Sequence, residues 1–278
     1  MQRLIIVQTP HQYLVFSYSQ FLCMPQLLPI RPIRFVYFWT LGVLGALSGC
    51  SVYMPLQPGT PLLHAKGEAE VTGSAYLSGR LEGSAAYSPL NHVMVRAAGG
   101  LKVNGTDSVH YRIRQVEAGV SAYRRLGNCW LLGAMAGYGL GKGGARYYDD
   151  IDRVGPNFIL VNLYSYDFRK PYLEGYVSYQ TSWTAVGMSC RFSQVRFSSF
   201  TDRGQPVPLR RMSRLEPSVF LRLGGHNVLP WLQGQVAFCF SIAAESRTHS
   251  PNKAIYAMKM EPAFTSFGLV VYPHRFRE

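Results

Sequence analysis

The chain has 278 residues, of which 47% are hydrophobic and 15% charged, with 28 Lys and Arg against 15 Asp and Glu. Its apolar content excludes a largely disordered chain, and 27 Gly with 17 Pro exclude a helical coiled coil. The +13 net charge is spread singly or in pairs (Arg124-Arg125, Arg210-Arg211), without the dense cluster that a nucleic-acid partner needs, so membrane lipid is the expected partner.

Residues 1–23 place an apolar stretch ahead of Met24 and are read as a start-site artefact, with translation beginning at Met24. Arg31 and Arg34 then form a positive region, Phe35 to Leu47 an apolar one, and Leu47-Ser48-Gly49-Cys50 closes it. Positive, apolar and small residues in that order make a secretory signal, too short in its apolar part for a comfortable spanning helix. The ending resembles the bacterial lipobox. That resemblance implies that Cys50 receives diacylglycerol on sulfur and becomes the mature N-terminus. A signal anchor or a buried helix ending in Cys is the plainer reading. Residues 51–63 hold three prolines and are expected to form a tether.

From residue 64 onward, strict alternation marks strands. Glu174, Tyr176, Ser178 and Gln180 share one parity, with Leu173, Gly175, Val177 and Tyr179 on the other. Arg214, Glu216, Ser218 and Arg222 stand likewise against Leu215, Pro217, Val219 and Leu221. Ten such segments appear, near 66–77, 80–88, 92–103, 110–125, 129–141, 172–182, 185–198, 213–223, 229–242 and 261–272. Short turns are expected at 88–91, 126–128, 182–184 and 224–227, with tight ones at Ser78-Gly79 and Asn104-Gly105. The long connections, 142–171, 199–212 and 243–260, all fall at one end. Short turns at one end and long loops at the other characterise an outer-membrane barrel. The expected fold is all-β, a closed antiparallel up-and-down barrel of about ten strands. The expected domains are a signal region at 1–49, a lipidated tether at 50–65 and a barrel at 66–274. An even strand count returns both termini to the periplasmic end, where Cys50 is expected.

Tyr87, Tyr123, Trp130, Trp183, Trp231 and Tyr272 near strand ends suit an interfacial aromatic girdle. The stretches Lys66-Gly-Glu68 through Tyr87, Glu117 through Tyr123, and Glu216-Pro217 resemble a family of outer-membrane β-barrel lipoproteins of Bacteroidetes-type bacteria. The resemblance implies architecture and location and carries no activity or functional residues.

In a narrow barrel the polar parity should pair its charges across the lumen. Arg80, Glu82, Arg96, Glu117, Glu174, Arg191, Glu216 and Arg222 are the candidate network, as a rigidifying plug or, alternatively, a polar pore. Cys129, Cys190 and Cys239 read as small apolar packers in strands, and Gly137 to Gly144 as a flexible loop root. The histidines show no nucleophile-and-base spacing, so no catalysis, cofactor or metal is expected. The expected role is structural, surface-interacting or small-solute passage. The alternative is a soluble periplasmic barrel lipoprotein that binds a hydrophobic ligand.

Overall fold

The computed structural model describes residues 8–9, 12–13, 52–105, 110–148, 161–225, 229–244 and 252–276. The expected signal, lipobox and start-site features lie outside these residues. Gln8–Thr9 and Gln12–Tyr13 pair as a separate two-strand unit.

Ten antiparallel strands close into a barrel: β1 Ala69–Tyr76, β2 Leu81–Leu90, β3 Val93–Gly105, β4 His110–Leu126, β5 Trp130–Tyr148, β6 Val161–Gln180, β7 Thr184–Asp202, β8 Arg211–Gly224, β9 Leu232–Phe240 and β10 Ala263–Val271. Each pairs with the next, and β10 pairs back onto β1 through Val270↔Thr72 and its neighbours. Closure leaves no unpaired sheet edge, so the backbone polar groups of the wall are satisfied within it. Two-residue pairings, Gln205–Pro206 on β7 and Ile242–Ala243 on β8, extend the wall at the loop end. A seven-residue helix α1, Lys253–Lys259, lies in the connection to β10, capped by the Asn252 side chain on the Ala254 and Ile255 amides.

The alternation sorts residues by face. Along β4, Ile113, Gln115, Glu117, Ser121 and Tyr123 are buried, while Val116, Val120 and Leu126 are exposed. Exposed Leu132, Leu140, Leu173, Met188, Phe192, Leu215, Val219 and Phe267 continue an apolar outer surface around the wall. Tyr87, Trp130 and Trp183 face outward at the short-turn end, whereas Tyr123 and Tyr272, also expected in the girdle, point into the lumen.

Several expected boundaries shift, each because pairing continues where turn residues suggested a stop. β5 and β6 stay in register from Trp130↔Tyr179 to Tyr148↔Val161, so most of the expected 142–171 loop is wall. Likewise β3 runs through Asn104 to the Gly105↔His110 pair, so the turn expected at Asn104-Gly105 falls beyond Gly105. The Ser78-Gly79 turn is present, with Gly79 at φ +76°. Cys129 sits in the turn before β5 rather than packing in a strand. Cys190 and Cys239 are free thiols in strands.

The expected flexible glycine loop root is rigid wall with a packing role. Gly133, Gly137, Gly141 and Gly143 of β5 stand directly opposite Tyr176, Tyr172, Phe168 and Tyr166 of β6. In each case a Cβ on the glycine would overlap that ring. The missing side chain is what lets each ring lie across the neighbouring strand. Gly137→Val should therefore destabilise the folded barrel by about 1–3 kcal/mol, the usual cost of overpacking. Gly73→Ala, where a Cβ meets nothing within 4 Å, should be near neutral. Urea unfolding of the two variants in detergent micelles checks the contrast.

Candidate functional site

Residues 52–63, within the expected tether, run through the lumen of the barrel as an extended strap. Val52, Tyr53, Leu56, Thr60, Leu62 and Leu63 are almost completely buried. Leu62 and Leu63 pack with Ala86, Met94, Tyr123 and Leu131 near the short turns. At the other end Val52 and Tyr53 pack with Tyr164, Tyr166, Phe200, Met212 and the α1 residues Ala254, Ala257 and Met258. The strap thus runs from Val52 at the long-loop end to Leu63 at the short-turn end, where β1 follows. At about 3.1 Å per residue, an extended run of this length covers about 34 Å, enough to cross an apolar layer of about 30 Å.

The strap's chemistry fits its surroundings. Pro55, Pro58 and Pro61 recur every third residue, the period of an extended polyproline helix, and bring no amide to satisfy. Its carbonyls meet donors from the wall. Tyr111 and Tyr166 hydroxyls donate to Val52 at 2.9 and 2.5 Å. Gln115 Nε2 donates to Met54 at 2.9 Å, Arg191 to Leu56 at 3.4 Å, Arg96 to Gln57 at 3.4 Å and Arg222 to Thr60 at 3.2 Å. Its amides meet carboxylates: Gln57 donates to Glu82 at 3.3 Å and Leu62 to Glu70 at 2.8 Å. Wall side chains thus satisfy backbone groups that burial would otherwise leave stranded.

Between the two apolar clusters lies a charged layer that contains all eight candidate residues, in three groups. Arg191 is the centre of the largest. Strand register places Glu174, Arg191 and Glu216 directly side by side on β6, β7 and β8. Arg191 lies 2.7 Å from Glu174, 3.1 Å from Glu117 and 3.9 Å from Glu216, with its guanidinium 4.4 Å from the Tyr172 ring centre. Glu117 also takes Arg96 at 3.0 Å and Lys170 at 3.2 Å. In the second group Arg222 meets Glu70 at 2.9 Å, Gln235 at 2.8 Å and the Tyr272 hydroxyl at 3.0 Å. Arg80 pairs with Glu82 in the third, beside Tyr76.

Other members were not among the sequence candidates. Lys170 stood inside an expected loop, and only the continued β5–β6 pairing carries it into the lumen. Arg214 shares the parity of Glu216, and its partners, Ser241 and the Met258 and Met260 carbonyls, come from the connection to β10. Glu70 was legible only as a polar-parity residue of the first strand. The strap's three-residue proline spacing marks an extended segment but not its place in the lumen, which backbone bonds to distant side chains decide.

The arrangement suits closure. Beside the strap, Gln57, Pro58, Glu82 and Arg96 border a cavity of only about 40 Å³. Among the described residues no group of His, Cys, Asp and Glu gathers as a metal site.

No family model and no curated relative matches the chain. Among solved structures it is similar to the translocator domain of the autotransporter NalP from Neisseria meningitidis, at 9% identity and TM-score 0.43, covering 86% of this chain and 95% of that one. It is also similar to the outer membrane protease OmpT from Escherichia coli, at 14% identity and TM-score 0.39, covering 75% and 91%. A Pseudomonas aeruginosa FadL homologue is similar at 9% identity and TM-score 0.33, covering 83% and 97%.

Proposed function

We propose that this chain is a bacterial outer-membrane β-barrel lipoprotein, of the kind its sequence resembles, closed by its own strap and serving a structural or surface-interaction role at its long loops. The partition of the wall carries this reading: apolar side chains face outward, while charges and strap fill the inside. Such an outer surface is unfavourable in water but matches a bilayer. A soluble ligand-binding barrel would reverse the faces and keep an apolar cavity inside.

The strap's direction supports an anchor on the long-loop side. Only Ser51 separates Cys50 from Val52, so at most about 7 Å of chain lies between them. Return to the short-turn end would need about 30 Å through a filled lumen. Lipid on Cys50 therefore belongs to the long-loop side, which faces the exterior in this reading. A Ser51→Lys chain tests it on intact cells with a membrane-impermeant amine reagent and peptide mass spectrometry. The introduced amine should react along with Lys142 near the loops, while Lys66 at the short-turn end stays unmodified until permeabilisation. Reaction only alongside Lys66 refutes this topology. The mass of the N-terminal peptide reads lipidation independently, and Cys50→Ala should abolish it while the unboiled chain keeps its faster, heat-modifiable gel mobility.

A further inference from the structure

We infer that the outer surface of β4 to β8 carries a binding site for lipid-borne phosphate, at the level where the apolar wall gives way to the loops. Outward-facing Arg114, Lys142, Arg169, Arg196 and Arg211 occupy five successive strands. Register joins them into a row: Arg114 is opposite Lys142, Lys142 opposite Asp167, Arg169 opposite Arg196, and Arg196 opposite Arg211. Exposed apolar residues follow towards the short turns on each strand, Val116, Leu140, Leu173, Phe192 and Leu215. The row therefore borders the apolar band rather than standing free above it.

Like charges directly opposite each other on neighbouring strands are destabilising. Here three arginines stand abreast. Local compensation is small: Lys142 lies 3.4 Å from Asp167, and Arg196 Nε donates to Gln194 at 2.7 Å. A phosphate diester or monoester bridging two guanidinium groups would turn that repulsion into charge-assisted hydrogen bonds, for which planar arginine forks are suited.

A second feature lies beneath the row. Small residues Gly175, Cys190 and Pro217 floor an apolar recess of about 980 Å³, flanked by Met188 and Phe240. Gly175 is six residues along β6 from Arg169, about 20 Å of strand, within reach of an acyl chain whose headgroup sits on the arginines. Cationic row and apolar recess on one face match an anionic lipid. They do not match a free phosphate, which would have no use for the recess.

This inference rests on the membrane reading above. The test uses full-length chain in neutral detergent, with native mass spectrometry and the temperature of the heat-modifiable gel shift. Added lipid A bearing phosphates, or phosphatidylglycerol, should bind and raise that temperature. Dephosphorylated lipid A and phosphatidylcholine should bind at least tenfold more weakly, the equivalent of one charge-assisted hydrogen bond. The triple variant R169Q/R196Q/R211Q should lose the preference while still showing the gel shift, and K66Q/R125Q at the opposite end should retain it. Stronger binding of lipid A than of phosphatidylglycerol, or the reverse, identifies the natural source. Equal binding of all four lipids, or a triple variant that binds like wild type, overturns the site. A chain that is soluble and folded without detergent would instead overturn the membrane reading.

Discussion

A chain lacking residues 52–63 but keeping its signal and Cys50 should conduct ions in planar bilayers, in discrete steps, where the intact chain gives none. The strap occupies the lumen from the Leu62–Leu63 cluster to the Val52–Tyr53 cluster, and its backbone holds Arg96, Arg191 and Arg222 in place. Removing it leaves a wall lined by Glu70, Glu82, Glu117 and the arginines, which water would solvate. Stability should fall as well, because the buried side chains of Val52, Tyr53, Leu56, Leu62 and Leu63 each contribute about 1.5–3 kcal/mol. Folding of the deleted chain is checked first by the gel shift. A folded, deleted chain that stays silent would show that wall side chains alone close the lumen.

Arg191→Met should be the most damaging single substitution in the wall. It strands the nearly inaccessible Glu174, leaves Glu117 with only Arg96 and Lys170, and withdraws a donor from Leu56 of the strap. Breaking a buried ion pair by removing one partner costs about 3–5 kcal/mol, mostly the penalty on the charge left behind. The expected result is a marked fall in the urea midpoint measured in micelles. Adding Glu174→Gln to Arg191→Met should recover part of the loss, because a neutral amide tolerates burial better than an unpaired carboxylate. If the double variant is no more stable than the single one, the electrostatic account of this layer fails.

Much of the wall was legible in the sequence because a closed barrel reads each strand in a period of two. Leu173 and Glu174 cannot exchange faces without shifting every neighbour, so parity alone separated outward-facing from lumen-facing residues. Loop asymmetry was legible for the same reason: alternation stops where the wall stops. Boundaries were not. Gly139, Gly141, Gly143 and Gly144 have the composition of a loop, yet they form strand because β6 supplies rings and hydrogen-bonding partners from residues far along the chain.

What the sequence determined by itself is therefore the two-faced wall, its strand number and part of the set of charges turned inward. Tertiary structure decided which charges meet, since Glu117 reaches Arg96, Lys170 and Arg191 from three other strands. It also decided that a proline-rich segment lies inside the barrel, running from the loop end to the short turns. The physical reason is that alternation records the solvent on either side of a residue, whereas backbone carbonyls held by distant arginines leave no pattern along the chain.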